Sequence, residues 1–191
     1  MQIQNVLKTV LGTALFAASV AAHADVVNIN ARYNGAPTDA PGANTPVLLS
    51  LAAGSYRIEG VDASFAGAQY TAWNPWNYVA GCDAQGHCPN GAGWVSAYSF
   101  DTGAGTAVNS LGYNSRWATP ELAFANRSAG TIVSFSAPTT LRFYIPDTPH
   151  TDNLGGISLN ITPVPEPETW GMMLAGLAIT GMLARRRKSV A

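Results

Sequence analysis

The chain has 191 residues, of which 47% are hydrophobic and 11% charged, with a formal net charge of −1. Between its two apolar ends, from Asp25 to Pro163, nine Asp and Glu stand against five Arg and no Lys, a balance of −4 over 139 residues. A body of that length makes one domain with a real core, and its mildly acidic surface excludes nucleic acid as a partner.

The first predicted element is an export signal. Met1–Lys8 carries one positive charge, and Thr9–Ala21 is apolar and uncharged. Ala22-His23-Ala24 then offers the small-x-small pattern that signal peptidase accepts. Cleavage before Asp25 divides the chain into a signal peptide (1–24), a secreted body (25–163) and a tail (164–191). Along the body, short alternating or β-branched runs recur between glycines, prolines and asparagines. Val26–Arg32, Ser55–Val61, Trp94–Phe100, Thr131–Ser136, Thr140–Ile145 and Ile157–Thr162 predict strands, with weaker patterns over Pro46–Leu51 and Ala66–Ala72. No body segment shows a sustained 3.6-residue period and no internal repeat is evident. About eight short strands predict an all-β fold, an antiparallel β-sandwich or jelly roll. Ala36–Thr45 reads as a surface loop and Thr162–Thr169 as a linker.

Midway lies "YTAWNPWNYVAGC", residues 70–82. Aromatic faces stack on the apolar faces of sugars and amides bond hydroxyls, so Trp73, Trp76, Tyr78 and Asn77 are candidate ligand-binding residues. The competing reading is that these rings pack one edge of the sandwich. Cys82 and Cys88, six positions apart among Gly81, Gly86 and Pro89, are expected to form a disulfide in an oxidising compartment. A metal site is the alternative, with His87 the sole neighbouring ligand. The body has two histidines, His87 and His150, and neither a G-x-S-x-G nor an H-E-x-x-H motif, so a non-catalytic protein is expected. A polysaccharide hydrolase stays open as a lesser alternative, because the spacing of paired carboxylates comes from the fold.

The segment "FYIPDTPHTDNLGGISLNI", residues 143–161, groups oxygen donors between two strands. Asp147, Thr151, Asp152 and Asn153 supply carboxylate, hydroxyl and amide oxygens of the kind Ca²⁺ takes, six to eight at about 2.3–2.6 Å. Asp62, at a neighbouring strand end, is a further candidate ligand. Ordinary turn chemistry is the alternative, since Asp and Asn also cap loops through their own backbone.

The tail has three parts in order: Pro165-Glu166-Pro167, the uncharged run Trp170–Ala184, and Arg185-Arg186-Arg187-Lys188. Fifteen residues make a helix of roughly 22 Å, short against a hydrocarbon core of ~30 Å, but a segment starting at Thr169 with snorkelling arginines can span a thinned bilayer. The basic cluster favours the cytoplasmic side, leaving the body outside. This ordered arrangement resembles the PEP-CTERM sorting signal of exported bacterial proteins. The resemblance implies recognition by an exosortase-type membrane protease and transient anchoring in the inner membrane. Transfer of the body to the cell surface or an exopolysaccharide matrix would follow. Pro165, Glu166, Pro167 and the arginines would then serve as an address.

The 143–161 segment also resembles the calcium-site loop of galactose-binding β-sandwich lectins, on Asp147, Asp152, Asn153 and the strand "SLNI". "SLAAGSYRIEGVD" fits the same architecture upstream. That resemblance implies Ca²⁺ held by these residues and contacting sugar hydroxyls. The function expected from the sequence is therefore a secreted carbohydrate- or matrix-binding protein, Ca²⁺-dependent if the loop is a site. The alternative is a purely structural matrix protein.

Overall fold

The two-residue period of an extended chain sets the strands. In Gly54–Val61, Tyr56 and Ile58 are buried while Arg57 and Glu59 face outward. In Thr139–Tyr144, Leu141 and Phe143 are buried while Thr140 and Arg142 face outward. The computed structural model describes residues 24–35, 45–89, 92–103, 108–109, 115–165 and 175–180. The expected export signal up to residue 23 and most of the predicted surface loop, residues 36–44, lie outside these, as do residues 166–174 and 181–191.

The described strands, in chain order, are β1 (Asp25–Asn30), β2 (Val47–Leu51), β3 (Gly54–Val61), β4 (Trp73–Asn74), β5 (Ser99–Asp101), β6 (Val108–Asn109), β7 (Thr131–Phe135), β8 (Thr139–Tyr144) and β9 (Leu154–Pro163). They form two sheets. One runs β1-β9-β3-β7, with β4 also paired to the start of β9; the other runs β2-β8-β5-β6, and all these pairings are antiparallel. Val27, Ile29, Ile58, Ile157, Leu159 and Ile161 from the first sheet meet Leu51, Phe100, Leu141 and Phe143 from the second in a single buried cluster. The fold is therefore all-β, with its core between two antiparallel sheets.

β9 is the central strand. Its inward residues Ile157, Leu159 and Ile161 are each at most 1% exposed, and burial of such a side chain contributes about 1.5–3 kcal/mol. Its outward residues are covered as well. The Ser158 hydroxyl accepts from the backbone N–H groups of Gln69 and Tyr70 and donates to Asn28 Oδ1, while Asn28 Nδ2 donates to the Gly67 carbonyl. Residues 62–72 thus form a strap across the outer face of the first sheet. This corrects the strand expected over Ala66–Ala72: the Gln69 and Tyr70 N–H groups and the Gly67 carbonyl pair with side chains of β1 and β9 instead of a ladder. Gly156 makes the crowding at this point possible. A Cβ there would lie 2.3 Å from the Ile29 carbonyl and 2.7 Å from the Tyr70 ring.

Two further expectations are revised. The strand expected over Trp94–Phe100 breaks into bridges at Trp94 and Val95 and the short β5, because the Ala97 carbonyl accepts from the Trp73 indole. A helix, α1 (Pro120–Ala125), follows a Thr119 N-cap whose hydroxyl accepts from Leu122 N–H, with proline in the first turn. The expected linker from Thr162 begins inside the sheet: Pro163 pairs with Tyr56, and Val164 N–H donates to the Ser55 carbonyl at 2.8 Å. In the tail, residues 175–180 are helical, and no helix among the described residues is long and apolar enough to cross a membrane.

Candidate functional site

The aromatic segment separates into an inner and an outer part. Trp73 is fully buried in β4, with its indole N–H on the Ala97 carbonyl at 2.8 Å, so it is a core residue. Asn74, 1% exposed, folds the chain that follows. Its Oδ1 accepts from Trp76 N–H and Tyr78 N–H, and its Nδ2 donates to the Tyr78 carbonyl. Asn77 takes a positive φ of 48°, a left-handed conformation that asparagine tolerates. This tight clasp turns the other two rings outward: Trp76 is 50% exposed and Tyr78 60%.

The ground under these rings is stapled. The Arg116 guanidinium sits 5.5 Å from the Trp76 ring centroid, and Arg116 is itself 7% exposed. A disulfide joins Cys82 and Cys88, with S–S at 2.04 Å. Cys88 N–H donates to the Arg116 carbonyl, and Trp117 exchanges backbone hydrogen bonds with Trp94, whose neighbour Val95 exchanges them with Trp73. His87 packs edge-on against Trp117 at 5.4 Å. Covalent and backbone links therefore run without a break from the exposed rings to the core.

The oxygen-rich loop is built differently. Asp147 is half-buried, and Thr151 and Asp152 are exposed. Asn153 is 4% exposed: its Nδ2 donates to the Ala31 carbonyl at 3.0 Å, and its Oδ1 is buried without a hydrogen-bond partner. His150, also 4% exposed, lies over Gly35, where a Cβ would sit 2.2 Å from its Nε2. Asn153 and His150 thus seal the loop onto residues 31–35. Asp62 belongs to the strap, where Ser64 Oγ and Ser64 N–H both donate to its carboxylate. These Ser64 bonds, aided by the charge of Arg127, hold the Asp62 carboxyl below its ordinary value. No group of three or more His, Cys, Asp or Glu that could hold a metal ion occurs among the described residues.

Two features were missed in the sequence. Asn74 is the organiser of the aromatic loop, although its place among tryptophans suggests a sugar contact. A groove of about 570 Å³ lies over the outer face of β3, lined by Glu59, Asp62, Phe65, Phe124 and Arg127 among others. The cap signal Thr119-Pro120-Glu121 would have located α1, which carries Phe124, and with it one side of this groove.

A family model described as the PEP-CTERM protein-sorting motif matches residues 163–188. The chain therefore carries that sorting motif, which marks an exported protein handled by an exosortase-type system and directed to the cell surface. The motif is a sorting signal and supplies no catalytic group. Pro165 is described and follows the end of β9. Glu166, Pro167 and Arg185–Arg187 lie outside the described residues. Comparison with curated proteins and with solved structures gives no match.

Proposed function

We propose that this chain is a non-catalytic binding protein of the cell surface or extracellular matrix, and that it holds polysaccharide on the Trp76–Tyr78 loop. Signal peptidase and an exosortase-type protease would process its two ends, with the tail in the membrane before sorting. The observation that carries the reading is the pairing of two half-exposed rings with a loop that the buried Asn74 and the Cys82–Cys88 disulfide hold in one shape. Pyranose rings present C–H faces that lie on such aromatics, and a preformed loop lowers the ordering cost of binding. Each exposed aromatic is expected to contribute about 0.5–1.5 kcal/mol.

Ca²⁺ is not required in this reading, because the rings and the clasp beneath them involve none of Asp147, Thr151, Asp152, Asn153 or Asp62. The test is electrophoresis of the full-length chain, in mild detergent, through gels cast with extracellular polysaccharide from the producing cells. Retardation that persists in EDTA and falls in Trp76→Ala and Tyr78→Ala is the expected result. Retardation unchanged in the double variant would overturn the assignment of the loop. No retardation at all would favour a purely structural role in the matrix.

A further inference from the structure

The groove over β3 shares no lining residue with the aromatic loop, and its groups are held in definite states. The Arg127 guanidinium carbon lies 3.8 Å from the Phe124 ring centroid, and its Nη1 donates to the Phe124 carbonyl at 3.0 Å. A guanidinium has five N–H donors, so this one is held over the ring with further donors available. Asp62 is already engaged by the hydroxyl and the backbone N–H of Ser64. Glu59 is different. It is half-buried, and its carboxylate has neither an ion pair nor a side-chain hydrogen bond among the described residues. Its cross-strand partner Asn160, on the same outward face, is 7% exposed and has a buried Oδ1 without a hydrogen-bond partner. Phe65, 40% exposed, adds an apolar surface.

The groove volume falls within the range of small-ligand pockets, about 300–1,000 Å³. Its ligand has to answer three features together. A half-buried carboxylate without an ion pair calls for a cation, the remaining N–H groups of Arg127 call for hydroxyl or ether oxygens, and Phe65 calls for an apolar face. A hexopyranose with a free amino group carries all three. A uronate would meet the charge of Glu59, an N-acetylated sugar has no cation, and a linear diamine has neither hydroxyls nor a ring. We infer that the groove formed by Glu59, Phe65, Phe124 and Arg127 binds an amine-bearing hexose. The ammonium pairs with Glu59, the hydroxyls accept from Arg127, and a ring face lies on Phe65.

The choice of a sugar among amines rests on the polysaccharide reading, while the site itself does not. Calorimetric titration of the full-length chain in detergent with glucosamine, N-acetylglucosamine and putrescine separates the two. Saturable heat with glucosamine is expected, with binding weakened roughly ten- to a hundred-fold in Glu59→Gln, weakened also in Phe65→Ala, and unchanged in Trp76→Ala. Phe65 is exposed, so its variant keeps the test valid should Glu59→Gln shift the melting temperature. No heat, equal binding of N-acetylglucosamine or putrescine, or binding insensitive to both groove variants would overturn the inference. Loss in Trp76→Ala alone would also overturn it, by moving the sugar to the aromatic loop. Groove-dependent glucosamine binding by a chain that passes polysaccharide gels unretarded would sustain the groove and remove the proposed function.

Discussion

Asn74 shows how a single polar residue can matter more than the rings around it. Three hydrogen bonds leave its buried amide for the backbone of Trp76 and Tyr78. Asn74→Ala is expected to cost about 1–3 kcal/mol by leaving loop groups unpaired, and to weaken polysaccharide retardation although both aromatics remain. Thermal melting and gel retardation, measured together, check it; retardation at the wild-type level would show that the clasp does not position the rings. Arg142 and Asp101 face each other across β8 and β5, with Nε donating to Oδ1. Burial alone would raise the Asp101 carboxyl, but the Arg142 hydrogen bond and the Gly103 N–H outweigh it and hold the group below its ordinary 3.8. A carboxyl lowered in the folded state adds stability above its unfolded value, and that stability disappears as pH falls through the folded value. Arg142→Ala should therefore cost about 1.5–3 kcal/mol near neutral pH. The gap from wild type should close as denaturation is followed below pH 3.8. A gap independent of pH would assign the loss to packing of the arginine stem.

Secondary elements were readable wherever a period had room to repeat. β1, β3, β7, β8 and β9 fall within about two residues of the predicted runs at most ends, because each alternates apolar and polar side chains across a half-buried sheet. β9 extends further toward its start, where Leu154 and Gly155 pair with β4 instead of turning. The strap at 62–72 defeated the pattern, since its apolar residues lie on the outside of a sheet and its partners are side chains remote in sequence. The same holds for the candidate site: the sequence singled out Trp73, Trp76 and Tyr78 alike, and which of them is buried, like the burial of Asn74 and Asn153, depends on tertiary neighbours. α1 is too short for a period to show, and only its cap announces it. Removing that cap in Thr119→Ala should cost about 0.5–2 kcal/mol and loosen Phe124 and Arg127. Chemical denaturation reads the first effect and glucosamine titration the second. An unchanged midpoint would mean that Pro120 and packing alone hold the helix.

At the scale of the whole molecule, the sorting tail is mounted directly on the strand that organises the core. β9 pairs with β1, β3 and β4, and its last rungs are Pro163 opposite Tyr56 and the Val164 N–H on Ser55. The motif match begins at residue 163, so the address starts where the sheet ends. A processing step beyond Val164 would leave every described rung of β9 intact, whereas a cut a few residues earlier would remove part of the core. Truncation can test this boundary. A chain ending at Pro165 should melt within a few degrees of the full-length protein, because among the described residues the core cluster ends within β9. A chain ending at Asn160 loses Ile161, 1% exposed, together with the β3 rungs at Ile58, Arg57 and Tyr56, and should fail to give a cooperative transition. Far-ultraviolet circular dichroism during heating distinguishes the two. If the longer truncation product also unfolded, the tail would be part of the fold, and release of the body by a sorting protease would destroy what it delivers. If the shorter one melted normally, the last rungs of β9 would not be needed to hold the core together.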